Sequence, residues 1–410
     1  MSLTRRRLLL AAGALPLART ALGDMSLSAD DTRLPFKDGF AKSDEVYLNS
    51  GSQHPISLGA LENARKYLAH RALEPGAAEF ERNDLGVLEK YARLVNADAE
   101  EVAYVQSTTT AEQMFLRCLS FPQGGGHIVT DTLHFFGSVP LYLEMEKQGV
   151  EVTWVKARDG RIPLEEMRKA IRPDTQLVSL SLVSTINGFE HDLKAVCDMA
   201  HDVGALVYAD AIHAVGCVPV DFHATGVDLA AGASYKWLMG EFGLGFLYVR
   251  KDVLPRLKRT NYGYYGMTAF QPHIYPLDPP GDAIADYGFR PDATGMFALG
   301  THAHTPIAIL DHSLDYLLNV GVDNIQAHAQ TMIDRLKVEL PERGFEVITP
   351  KEATTPIITC ALENAYEVIR PRLDPANVKI SVSRNRFRVT PSVFNDMDDI
   401  ERLLAVIGRG

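Results

Sequence analysis

The sequence predicts an α/β fold: a mostly parallel central sheet of seven strands and a smaller C-terminal α/β unit. Three observations carry that prediction. From about residue 100, short β-rich runs alternate with stretches of helical apolar spacing. Most of those runs are continuously apolar, as strands covered on both faces are. After residue 301 the order changes to long helices followed by short strands and a closing helix.

The β-rich runs are Glu101–Val105, His127–Asp131, Glu151–Val155, Gln176–Leu182, Ala205–Asp210, Asp228–Ser234 and Gly245–Arg250. Between two of them, Leu193–Val203 places Leu193, Val196, Cys197 and Ala200 on one helical face. Residues 262–300 break the rhythm with a Tyr/Gly cluster at Tyr262–Gly266 and a proline-rich run at Pro276–Pro280. Helical spacing returns at Thr305–Leu318 and Asn324–Leu340. Strand-like runs follow at Phe345–Ile348, Ile357–Leu362, Val378–Ser383 and Arg386–Thr390, and a last helix at Met397–Gly408. The resulting division is a leader at 1–23, a segment at 24–60 packing on the small unit, a large unit at 61–300 and a small one at 301–410.

Composition narrows the function. The 410 residues are 46% hydrophobic and 23% charged, an ordinary globular balance. The formal net charge of −11 disfavours nucleic acid, whose phosphates such a surface repels. Arg5, Arg6 and Arg7 precede an uncharged stretch from Leu8 to Ala18, with small residues around Ala21-Leu22-Gly23. The stretch is too short to span a bilayer, so no stable membrane insertion is expected. It reads as an export signal and resembles a twin-arginine address. The expected location is therefore periplasmic, reached through the twin-arginine machinery. Cys118, Cys197, Cys217 and Cys360 are widely spaced and form no C-x-x-C pair, which disfavours zinc and leaves disulfides open.

The chemistry concentrates where two strands end, since open α/β sheets bind ligands beyond the carboxyl ends of their strands. One run ends Val207-Tyr208-Ala209-Asp210, with His213 three residues on. The next ends Gly232-Ala233-Ser234-Tyr235-Lys236-Trp237. A lysine amine pointed at an aspartate and a histidine is the set a cofactor aldehyde needs. The amine forms a Schiff base, and the carboxylate pairs with a protonated ring nitrogen.

Asp210-x-x-His213 with Ser234-Tyr235-Lys236-Trp237, spaced 26 positions from Asp210 to Lys236, resembles the class V aminotransferases. These are fold-type I pyridoxal-phosphate enzymes that include cysteine desulfurases, isopenicillin-N epimerase-like proteins and kynureninases. The resemblance implies pyridoxal 5′-phosphate as cofactor, Lys236 as the Schiff-base lysine, Asp210 on the pyridinium nitrogen and His213 beside the O3′ edge. It places the phosphate at the Ser107-Thr108-Thr109-Thr110 run, Thr108 and Thr109 ahead of Thr110, where a helix begins. His134, or its neighbours Phe135 and Phe136, would stack on the ring, and the Tyr235 hydroxyl would reach the phosphate. Gly300-Thr301 resembles a pair that reaches the phosphate across a dimer interface, implying a homodimer. Arg388, in Phe387-Arg388-Val389-Thr390-Pro391, would hold the carboxylate of an amino-acid substrate. Asn49 and Gln53 belong to a segment expected to cross the site mouth.

Two departures bear on the reaction. The stretch Val382–Arg386 has no cysteine where the desulfurases carry their attacking thiol, so a persulfide-forming desulfurase is not expected. Thr185 stands where many relatives have an asparagine bonded to the cofactor. Transferase chemistry on an amino acid or amino-acid moiety is the favoured expectation. An epimerase or a C–S or C–C lyase is the alternative, and a non-catalytic binding protein of the same fold the alternative of another class. A dinucleotide enzyme is disfavoured because Gly243-Leu244-Gly245 precedes a strand instead of following one.

Overall fold

The computed structural model describes residues 32–41, 43–73 and 82–410. The expected leader at 1–23 lies outside them.

The central sheet runs in the order Val102–Val105, Gly245–Val249, Leu229–Ala233, Leu206–Asp210, Thr175–Ser181, His127–Asp131, Glu151–Val155. Its neighbours are parallel except at Gly245–Val249, which is antiparallel to both of its partners. Each strand falls within about a residue of the run that predicts it. The cause is the two-sided burial: Val207 and Ala209 enter the core on one face, Leu206 and Tyr208 the core on the other. Only the edge strand Glu151–Val155 is substantially solvent-accessible.

Helices cover both faces. Leu193–His201 buries Leu193, Val196, Cys197 and Ala200, and the Asp192 carboxylate caps it by accepting the Ala195 N–H at 3.0 Å. Thr108–Cys118 starts at Ser107, whose hydroxyl accepts the Thr110 N–H. Fully burying side chains such as Phe115 and Leu116 contributes about 1.5–3 kcal/mol each. No helix among the described residues is long and apolar enough to cross a membrane.

The irregular stretch 262–300 contains an antiparallel hairpin, Met267–Pro272 with Ala285–Phe289. Sequence reading finds only the break, because this hairpin is solvent-exposed and lacks the apolar signature of the buried strands.

A second core lies between Val322–Glu342, Ala365–Leu373, Met397–Ile407 and a four-stranded antiparallel sheet. That sheet runs Glu346–Val347, Ile358–Ala361, Arg386–Val389, Ser381–Ser383. Val46 and Leu48 from the N-terminal segment join this core, and Val46–Tyr47 pairs in parallel with Val378–Lys379. The expected run Val378–Ser383 is thus two strands serving two partners. The first helix after residue 301, His304–Val320, nevertheless buries Leu310, Leu314 and Leu317 in the core of the large sheet. All four cysteines are free and buried.

Candidate active site

The carboxyl ends of four adjacent parallel strands define one crevice. His134 follows the strand ending at Asp131, Thr185 the one ending at Ser181, and His213 the one ending at Asp210. Lys236 follows the strand ending at Ala233. In the ladder Ser181 lies opposite Asp210, and Asp210 opposite Ala231.

Lys236 is held by a knotted turn. Gly240 N–H donates to the Ser234 carbonyl at 2.9 Å, Met239 N–H to the Lys236 carbonyl at 2.8 Å, and the Ser234 hydroxyl to the Glu241 carbonyl at 2.8 Å. The turn brings Gly245 against the preceding strand: a Cβ there would sit 2.7 Å from the Gly232 carbonyl oxygen. Only glycine allows that approach.

The amine of Lys236 is buried, 2.8 Å from His213 Nε2. Burial lowers its pKa to about 8, with Arg388 adding to the fall and Asp210 opposing it. Burial, then the Lys236 and Arg388 charges, hold the His213 pKa well below the ordinary histidine value, so its ring is neutral. The Trp237 indole N–H donates to the other ring nitrogen, Nδ1, at 3.3 Å. Asp210 is buried, and its Oδ1 accepts the Ile212 N–H at 3.1 Å. Burial raises its pKa to about 6, against the opposing pull of His134 and Lys236.

His134 is sunk into a polar network. Its Nδ1 receives the Phe135 N–H at 2.8 Å and lies 2.9 Å from the Ser181 hydroxyl, and Nε2 is 3.2 Å from Ser179 Oγ. Behind it the buried Glu112 carboxylate accepts from the Ser138 and Tyr142 hydroxyls, both at 2.7 Å. Burial alone would lower the His134 pKa, and Glu112 more than offsets it. Glu112 is a site residue that sequence reading misses, since one acid on a helix face looks like any solvated one.

The three threonines differ. Thr108 Oγ1 accepts the Ala233 N–H at 3.0 Å, tying the helix start to the lysine-bearing strand. Thr110 Oγ1 donates to Gln106 Oε1 at 2.9 Å. The first-turn N–H groups of Thr108 and Thr109 have no intrahelical acceptor, which leaves them for an anion. Gly300 and Thr301 line a surface cleft with Gln106 and Thr110 of their own chain, and Thr301 is hydrogen-bonded to the Tyr264 hydroxyl. Tyr235 is half-buried and stacks on Phe242 at 4.3 Å.

Arg388 closes the crevice from the small sheet. Nη1 donates to the Thr185 carbonyl at 2.8 Å and to its hydroxyl at 2.6 Å, and Nη2 to the Ser52 hydroxyl at 2.9 Å. Its buried Nε has no partner among the described residues, nor has the buried Asn49 Oδ1. Burial, then Arg386, lowers its pKa to about 10. Thr185 therefore serves as the arginine's acceptor. Gln53 is exposed and lines a separate depression with Lys37, Tyr47 and His54, so Ser52 and not Gln53 meets Arg388. The alternation of a loop cannot be read from sequence as a strand's can.

The model of the family "Aminotransferase class-V" matches residues 47–380. The chain belongs to the class V aminotransferases. It is 29% identical over 300 residues to a probable cysteine desulfurase of Methanothermobacter thermautotrophicus, covering 72% of each chain. It is 24% identical over 326 residues to the uncharacterized aminotransferase YcbU of Bacillus subtilis, covering 80% of this chain and 82% of that one. Among solved structures, the cysteine desulfurase CsdA from Escherichia coli superposes with a TM-score of 0.77 at 17% identity, over 91% of this chain and 96% of the other. The cystine C-S lyase C-DES, in complex with its reaction product cysteine persulfide, gives 0.77 at 18% identity, over 88% and 97%. The class V fold-type I architecture is therefore established for this chain.

These likenesses overturn one expectation. The cysteine-free stretch Val382–Arg386 argued against a persulfide-forming desulfurase, yet cysteine desulfurases recur among the relatives and the neighbours. A missing thiol in one stretch speaks to one sulfur acceptor and not to whether a C–S bond is cut.

The cofactor of this class V enzyme is pyridoxal 5′-phosphate. The donor set fits it. Asp210 is a buried carboxylate that could pair with a protonated pyridine nitrogen. Lys236 is a buried amine with a lowered pKa. The helix N-terminus at Thr108 and Thr109 would hold the phosphate.

Proposed function

We propose that this class V enzyme cleaves the Cβ–S bond of a sulfur-bearing amino acid. The observation that carries the reading is Arg388: a part-buried guanidinium held, among the described residues, by neutral oxygens only, with its buried Nε unpartnered there, near a buried lysine amine. A substrate carboxylate completes such a group. The choice of sulfur draws support from the likeness to a probable cysteine desulfurase.

When bound, pyridoxal 5′-phosphate supplies a ring that takes up the electron pair left at the substrate Cα. Arg388 binds the substrate carboxylate, and Thr185 and Ser52 fix its direction. Lys236, as a free amine, removes the Cα proton and returns a proton to the departing sulfur. His213 orients that amine. Asp210 holds a proton at the ring nitrogen. The buried walls around Lys236 and Asp210 keep bulk water from both.

The test is a product assay on protein loaded with pyridoxal phosphate and given L-cysteine or L-cystine. L-Cysteine is expected to give sulfide, and L-cystine cysteine persulfide, each with pyruvate and ammonia. Amino-group transfer to a 2-oxo acid without sulfur release would overturn the reading in favour of transamination, which the likeness to YcbU supports.

The same proposal includes a homodimer. The hairpin at 267–289 exposes Phe270, Ile274, Tyr275, Leu277, Ile284 and Tyr287, an apolar surface suited to a second copy. Periplasmic location after twin-arginine export rests on Arg5, Arg6 and Arg7 and the apolar stretch behind them.

A further inference from the structure

We propose that Trp237 is a positioning residue that fixes the proton of His213 on Nε2, and so makes the free Lys236 amine a hydrogen-bond acceptor. The inference rests on Lys236 being the proton-moving base, as proposed above.

An indole N–H can only donate. Trp237 Nε1 lies 3.3 Å from His213 Nδ1, so Nδ1 presents its lone pair. A neutral imidazole carries one proton, which must then sit on Nε2. Nε2 is 2.8 Å from Lys236 Nζ. With the proton on Nε2, that contact is a hydrogen bond only if Nζ accepts, which requires the unprotonated amine. An ammonium there would set two donors face to face.

The pairing gives the lysine a direction. His213 stabilises the neutral amine and repels the ammonium that forms once a proton is taken, so Lys236 holds the proton weakly and passes it on. Other groups act on the same amine. Asp210 favours its charged form, Arg388 disfavours it, and the Tyr235 ring lies 5.8 Å from Nζ. None of these depends on the tautomer. Trp237 and Ser234 bracket Lys236 in the same turn, and both Trp237 and His213 are buried. The tautomer is thus set by packing and not by solvent.

The direct test is long-range ¹H–¹⁵N NMR of the histidine rings in the full chain freed of cofactor. The His213 pair is assigned as the one lost in His213→Gln. The expected spectrum shows an unprotonated Nδ1 and a protonated Nε2. The reverse tautomer overturns the proposal. Trp237→Phe keeps the ring but removes the donor. His213 then is free to turn its lone pair on Nε2 toward an ammonium. The pH midpoint of Lys236 labelling by reductive methylation should rise by about one unit, the shift an ordinary hydrogen bond gives. An unchanged tautomer and midpoint in Trp237→Phe would also overturn it. Neither readout involves turnover. Failure of the lyase reading leaves the tautomer result standing, and failure here leaves the product assay untouched.

Discussion

Arg388 Nη1 donates to both oxygens of Thr185, the carbonyl at 2.8 Å and the hydroxyl at 2.6 Å, across the seam between the large and small sheets. The proposed substrate anchor is therefore oriented by the loop that follows the strand Thr175–Ser181. Replacing the hydroxyl while keeping the shape, Thr185→Val, should leave the carbonyl bond and loosen the guanidinium. KM for an amino-acid substrate should rise by about 3–10-fold with kcat much less affected, the signature of lost uniform binding. Arg388→Gln removes the charge itself, and kcat/KM should fall by about 10–100-fold or more.

Asp210 ties stability to pH in a defined direction. Its folded pKa is raised to about 6 from the ordinary carboxylate value of 3.8. Between those values the folded protein binds a proton that the unfolded chain has released. Stability from this group is full below about pH 4 and is lost as pH rises through about 6. Urea melts of cofactor-free protein should show that decline, and Asp210→Asn should flatten it. The same variant should bind pyridoxal phosphate weakly, since a neutral amide gives the ring nitrogen no counter-charge.

Lys236 titrates the other way. Its folded pKa of about 8 lies below the ordinary lysine value of 10.5, so between the two the unfolded chain binds the extra proton. Its contribution to stability rises with pH across that window. Its reactivity toward an aldehyde should fall about tenfold per pH unit below about 8, as the amine is protonated. Rate measurements of cofactor capture from pH 6 to 9 check this.

Glu112 supports His134 from behind. Glu112→Leu leaves the buried Ser138 hydroxyl without its acceptor, while the Tyr142 hydroxyl keeps Ser179 Oγ at 2.6 Å. The expected loss is about 1–3 kcal/mol, from one unsatisfied buried donor and a disturbed histidine. Denaturant titration reads it.

The hairpin supplies the test of association. Leu277→Glu with Ile284→Glu places charge on the exposed apolar surface and far from Lys236 in sequence. A dimeric parent should become monomeric in sedimentation, and an unchanged mass would remove the hairpin from the interface.

The strands of the large sheet were legible because burial on both faces writes continuous apolar runs into the sequence. Asp210, His213 and Lys236 were legible because strand ends point into the crevice, so sequence position alone locates them. Ser52 and Glu112 were not. Ser52 reaches Arg388 through a loop whose direction no periodicity encodes. Glu112 sits on a helix whose buried face depends on partners 26 and 30 residues away. The contact of Thr185 with Arg388 joins parts of the chain 203 residues apart, which no local pattern encodes.

The central claim is that Lys236 is the residue that carries the cofactor. The most direct measurement is borohydride reduction of the protein with pyridoxal phosphate, followed by peptide mapping. The label is expected on the peptide containing Ser234-Tyr235-Lys236-Trp237, and Lys236→Ala should lose it together with the visible absorbance. A label on another lysine, or a visible band that survives Lys236→Ala, would contradict the account.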